Sequence, residues 1–179
     1  MTSFDELNPG PVTASLVVSK EGQSISEMGS SKGLGNQTDL QLLKWFRSRS
    51  QIVLTSGKTA FAEDYRYPSS AELAILSRSQ RKYSSLEKDL GRVRFLTDQA
   101  SYVSAVESLQ SQGFQRIHTE FGLEGFIELV QSGFADGFVS SVSASGITEF
   151  LDSTQLTELS RHVFGADLVV CRVGGRGKE

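Results

Sequence analysis

Four polar or glycine-rich turns follow apolar runs in this chain: Ser19–Gly22, Ser56–Thr59, Ser77–Ser79 and Glu120–Gly122. A turn that opens a helix leaves backbone N–H groups free, and such groups bind anions. Carboxylates accompany these turns at Glu21, Asp64 and Glu120, and Arg78 lies in the third of them. Taken singly, each turn is ordinary α/β scaffold more often than a phosphate site, and each carboxylate is more often an exposed turn residue than a ligand contact. Taken together, four of them after apolar strands describe one shared crevice, because ligands in parallel sheets bind beyond the C-terminal ends of strands. Metal chemistry is not expected: His118 and His162 stand far apart without cysteine neighbours. Cys171 has no partner in the chain and lies in the apolar run Leu168–Val173, which reads as a buried, inert thiol.

The elements that must carry these turns are organised around Gly113–Val139, which reads as strand, tight turn, helix, strand. Arg116–Thr119 is a short run with β-branched Ile117 and Thr119. Leu123, Phe126, Ile127 and Val130 then recur at i, i+3, i+4 and i+7, one apolar helix face, and Ser132-Gly133 closes that helix. Upstream, Val12 to Ser19, Gln51 to Thr55, Ala71 to Leu76 and Val93 to Thr97 read as strands. Asp39 to Arg47 and Ser101 to Gln112 read as amphipathic helices, the first with Leu40, Leu43 and Phe46 along one side. Gly22 to Asn36 is a long glycine- and serine-rich loop, and 78–92 is polar and exposed. Residues 144–163 mix a loop with a short helix around 155–161, and Asp167 to Val173 closes the sheet. Strands alternating with helices predict an α/β three-layer sandwich with a mainly parallel central sheet. Residues 1–10 are read as a flexible arm, 11–173 as one domain and 174–179 as a solvated tail.

At 179 residues, one compact domain is expected, long enough to bury a core without staples. The net charge of −3 gives no electrostatic footprint for nucleic acid. No apolar run approaches the ~20 residues of a membrane span, and the N-terminus is polar and acidic rather than signal-like. The cytoplasm is the expected location.

The order of the motifs resembles the reductase domain of bacterial riboflavin biosynthesis, a relative of dihydrofolate reductase, and the stand-alone pyrimidine reductases in particular. That family has a first strand ending Ser-Leu-Asp-Gly, where this chain has Ser19-Lys20-Glu21-Gly22. Gly29, then Gly33-Leu34-Gly35 and then Asp39 match its Gly-x-Ser, its Gly-Leu-Gly segment and the Asp that opens a helix. Gly57-Lys58-Thr59 and Ala62-Glu63-Asp64-Tyr65-Arg66 match its next turn and the segment after it, the most specific part of the likeness. Glu120-Phe121-Gly122 stands for Glu-Gly-Gly, and Gly133-Phe134-Ala135-Asp136-Gly137 for Gly-Leu-x-Asp-Glu. No deaminase zinc signature is present in the sequence.

The resemblance implies a dihydrofolate-reductase-like fold, a homodimer and an NADPH-dependent reduction of a small-molecule pyrimidine, in which a ribosyl group becomes a ribityl chain. It implies cofactor contacts at Gly57, Thr59, Ser77, Arg78, Phe121, Gly122 and Leu123, and substrate contacts at Glu21, Asp64 and Glu120. It assigns no catalytic residue. The departures from the family are Glu21 for Asp, Phe121 for a small residue against the pyrophosphate, and Gly137 for Glu. Phe121 and Glu21 favour the alternative function, a non-catalytic or substrate-diverged member acting as a dimeric binding protein.

Overall fold

The computed structural model describes residues 3–25, 29–79 and 81–177. Among these, β1 (Val12–Val18), β2 (Ile52–Ser56), β3 (Glu72–Leu76), β4 (Arg94–Leu96), β5 (Ile117–Glu120), β6 (Asp136–Ser141), β7 (Leu156–Phe164) and β8 (Leu168–Gly175) form one eight-stranded sheet. Its order is β4-β3-β2-β5-β1-β6-β8-β7. The strands from β4 through β6 run parallel, and β8 and β7 join antiparallel at one edge. The helices are α1 (Gln37–Ser48), α2 (Gly57–Ala62), α3 (Tyr102–Ser111), α4 (Leu123–Gln131) and α5 (Ala144–Ser153). The four strands read from sequence around the crevice, β3, β2, β5 and β1, are adjacent in that order. This is an α/β three-layer sandwich, as the sequence predicted.

Strand alternation sorts the two faces. Val12, Ala14, Leu16 and Val18 of β1 join Ile52, Leu54, Ile117 and Val139 in the larger core, against Val106, Leu109, Phe126, Leu129, Ile147 and Phe150 of α3, α4 and α5. The opposite face carries two separate apolar clusters. One gathers Phe4, Leu7, Leu42, Phe46, Phe138 and Val170 under α1. The other gathers Val53, Ala60, Leu73, Ile75, Tyr83 and Leu86 under α2 and the 3-10 turns of Ser84–Arg92. Thr13, His118 and Glu120 are buried polar residues of β1 and β5, and His118 stacks on Phe46 of α1.

Several expectations are corrected. No helix forms around 155–161; α5 occupies 144–153 and β7 follows it. β7 is an edge strand whose buried residues are its ends, Leu156 and Phe164, so its polar middle carries no strand-like apolar run. The 168–173 run is interior to the sheet, between β6 and β7, and the strand continues to Gly175 where a tail was expected. The arm is held over its described part, because Phe4 and Leu7 are buried; its first two residues, and 178–179 of the tail, lie outside the described residues. Within the loop from Gly22 to Asn36, 26–28 also lie outside them. The 78–92 stretch buries Tyr83 and Leu86. On α4 the buried set is Gly125, Phe126, Leu129 and Val130, while Leu123 is exposed in the first turn. On α1 it is Leu42 and Phe46, while Leu40 is exposed and Leu43 half-buried; all four line the crevice. Among the described residues no helix is long and apolar enough to cross a membrane.

Candidate functional site

A crevice of about 2010 Å³ runs over the C-terminal ends of the parallel strands. Pockets for a single drug-sized ligand measure about 300–1,000 Å³, so this cleft is larger than one such ligand requires. Residues of β1, α1, α2, the turns after β2, β3 and β5, and the first turn of α4 line it.

The glycine turns meet as the sequence predicted. Ser56 caps α2 by accepting the Thr59 N–H, and the Thr59 hydroxyl donates to the Phe121 carbonyl at 2.8 Å. That one hydroxyl ties α2 to the turn between β5 and α4. Gly122 has φ 87°, a left-handed conformation that L side chains rarely adopt, and it opens α4 with no side-chain cap. Among the described residues, no side chain caps the first N–H groups of α4 on the crevice wall. Phe121 does not obstruct them. It is buried, with its ring 4.7 Å from that of Tyr102, in space left by the missing side chain of Gly125. Leu123 lines the crevice beside the turn. Ser77 sits next to Gly57, its Oγ 2.8 Å from where a Gly57 Cβ would stand, and its hydroxyl donates to the Ser79 carbonyl. Arg78 is exposed at the same end and donates to the Ala100 carbonyl; Lys58 and Arg81 line the cleft nearby. An uncapped helix start, a hydroxyl-fixed glycine turn and three cations along one wall fit a dinucleotide carrying several phosphates.

The three carboxylates expected at the substrate are set apart from one another. Glu120 lies at the crevice floor with its side chain 10% exposed. Asp64 lines the rim, exposed, in a left-handed conformation at φ 48°. Glu21 is exposed, and its side chain is not among those that line the crevice.

Sequence reasoning missed what holds Glu120. Arg47 of α1 donates to Glu120 Oε1 through Nε and to Oε2 through Nη2, both at 2.8 Å, and Nη2 also donates to the Tyr65 hydroxyl at 3.2 Å. Burial works against the Arg47 charge, but the Glu120 carboxylate outweighs it and holds Arg47 above its ordinary pKa. Behind Glu120, His118 is fully buried. Its Nδ1 lies 2.7 Å from Thr13 Oγ1, and its Nε2 lies 3.0 Å from Ser15 Oγ and 3.5 Å from Glu120 Oε1. Burial first, and the Arg47 charge second, push the His118 pKa down to about 3, so the contact with Glu120 joins a neutral imidazole to a carboxylate and is not an ion pair. Across the floor, Asp39 accepts a 2.5 Å hydrogen bond from the Ser140 hydroxyl. Burial raises its pKa, against the opposing effect of that bond. The signal for Arg47 was its place as a cation one residue after buried Phe46. For His118 it was a histidine inside a strand buried on both faces.

No family model matches the sequence, and no curated protein does. Solved structures do. A pyrimidine reductase-like protein from Corynebacterium diphtheriae superposes with TM-score 0.67 at 14% identity, over 98% of this chain and 96% of its own. The chain has the fold of a pyrimidine reductase. The riboflavin biosynthesis reductase of Saccharomyces cerevisiae gives TM-score 0.67 at 13% identity, covering 93% of this chain and 90% of that one. RibD of Acinetobacter baumannii gives TM-score 0.68 at 16% identity; the match covers 93% of this chain and 58% of RibD. The architecture is therefore dihydrofolate-reductase-like, as the resemblance implied.

Proposed function

We propose that the protein is an NADPH-dependent reductase that converts the ribosyl group of a phosphoribosylamino-pyrimidine into a ribityl chain, the reaction named for 5-amino-6-(5-phosphoribosylamino)uracil. The observation that carries this reading is the Thr59–Phe121 hydrogen bond, which joins two glycine turns into one wall at the strand ends of a reductase fold. Gly57, Thr59, Gly122 and the first turn of α4 would hold the diphosphate, with Ser77 and Arg78 toward a further phosphate. When bound, NADPH supplies the hydride. Glu120, fixed by Arg47, accepts a hydrogen bond from a substrate hydroxyl. Asp39, with its raised pKa, is placed to hold a proton at the crevice wall. Asp64 meets the substrate from the rim, and Glu21 stays outside the contact set.

A second copy of the chain is the proposed protein partner. The edge strand β7 presents Leu159 and Val163, 58% and 63% exposed, beside unpaired backbone groups. Light scattering that gives a monomer mass at high concentration would remove this partner.

The cofactor reading is tested by NADPH titration, followed by fluorescence and calorimetry, on the wild type and Phe121→Gly. Because Phe121 packs away from the turn, the wild type is expected to bind. Phe121→Gly is expected to bind equally or more tightly, at a stability cost of about 3–5 kcal/mol from the lost ring. Absence of binding by both proteins would end the reductase reading.

A further inference from the structure

We infer that His118 is a positioning residue that turns the hydroxyl proton of Ser15 into the crevice, so that Ser15 donates to a ligand oxygen beside the Glu120 carboxylate. The tautomer of His118 decides this, and two separate contacts select the same one. The Thr13 hydroxyl is buried and has no other hydrogen-bond partner among the described residues than His118 Nδ1, 2.7 Å away. If Nδ1 carried the proton, Thr13 Oγ1 would accept from it and the Thr13 proton would be left with no acceptor among the described residues, a costly arrangement in a buried site. Thr13 therefore donates to Nδ1, and the imidazole proton sits on Nε2. On the other side, Nε2 faces Glu120 Oε1 at 3.5 Å. A lone pair there would oppose a carboxylate, whereas an N–H attracts it. The neutral state follows from full burial and from Arg47 beyond Glu120.

With Nε2–H donating to Ser15 Oγ at 3.0 Å, Ser15 is the acceptor, and its own proton must point elsewhere. Ser15 is only partly buried and lines the crevice. The proton thus faces the space where Glu120 presents its remaining acceptor capacity, since Arg47 takes one lone pair of each carboxylate oxygen. The floor offers a donor and an acceptor side by side. That pair fits neighbouring hydroxyls of a sugar or polyol chain, one accepting from Ser15 and the next donating to Glu120. This half of the inference rests on the crevice being the substrate site proposed above; the orientation of the hydroxyl does not.

The orientation is tested without ligand, by long-range proton–nitrogen correlation spectra of the His118 imidazole. The expected result is a neutral Nε2–H ring at pH 7; an Nδ1–H ring overturns the inference. Ribose 5-phosphate then serves as the ligand probe in calorimetry against the wild type, Ser15→Ala and Thr13→Val. Both variants remove one hydroxyl with little change of shape. Each is expected to weaken the probe about five-fold, the value of one ordinary hydrogen bond. Thr13 has no place on the crevice wall, so its effect would report the relay through His118 rather than a lost contact. Unchanged affinity in either variant overturns the relay. Failure of the wild type to bind ribose 5-phosphate would count against the substrate reading, and the imidazole spectrum alone would then decide the hydroxyl's orientation.

Discussion

Acid should weaken this protein through His118, and removing that histidine should remove the effect. An unfolded histidine titrates near 6.5, whereas in the fold burial and then Arg47 hold His118 at about 3. Below pH 6.5 the unfolded chain takes up a proton that the folded chain refuses, so stability falls as pH drops from 6.5 to about 3 and is fully present above 6.5. One proton is worth about 1.4 kcal/mol per pH unit, so the loss reaches about 3 kcal/mol at pH 4 and about 5 kcal/mol once pH falls through 3. His118→Gln keeps an amide donor near the Nε2 position but has no charge to gain. Asp39 contributes with the opposite sign, because its raised pKa lets the folded state hold a proton that the unfolded chain releases, but it is common to both proteins and cancels in their difference. Urea unfolding at pH 7, 6, 5 and 4 should show the wild type ahead of His118→Gln at pH 7, with the gap narrowing by about 3 kcal/mol at pH 4. A gap that does not change with pH would refute the neutral buried imidazole.

Arg47→Met leaves the Glu120 carboxylate on the crevice floor without its two strongest donors and should destabilise by about 3–5 kcal/mol in urea unfolding, with Arg47→Met/Glu120→Gln recovering part of the loss. Gly146→Ala should cost about 1–3 kcal/mol, read as a lowered Tm, because a Cβ there would collide with the backbone carbonyl of Ser19. Cys171 should be silent to Ellman's reagent in the native protein at pH 8 and react with one equivalent in urea, because burial, assisted by the Glu158 charge, pushes its thiol up to about 12.

The strands around the crevice were legible because their signal is local. Ile52, Val53 and Leu54, or Leu73, Ala74 and Ile75, are apolar on both faces and admit no other place than the middle of a sheet. β7 was not legible, since an edge strand with Glu158, Ser160, Arg161 and His162 at its centre is patterned by solvent rather than by the core. The glycine turns could be placed from sequence, as their spacing and composition are fixed within a few residues. The network behind them could not. Arg47 meets Glu120 across 73 residues, and Thr13 meets His118 across 105. Such pairs exist only once the parallel strands have stacked, and no short-range pattern marks them. Phe121 shows the same limit. Its type argued for obstruction, while its direction is set by Tyr102 and the bare Gly125, which composition does not reveal.

The place of β1 in the sheet has a consequence for how the chain is made. β1 is synthesised before β2 to β8, yet its neighbours are β5 and β6, with Val12 opposite Ile117 and Ala14 opposite Gly137. Growing from the ribosome, β1 has no native neighbour until β5 has emerged, at roughly 5–20 residues per second. β2 and β3 can pair long before that, as they are close in sequence. The nascent chain therefore passes through an interval of several seconds in which a half-built sheet exposes the β2 edge while an apolar first strand waits unpaired. Throughout that interval the open β2 edge and the unpaired apolar strand are exposed to association with other chains.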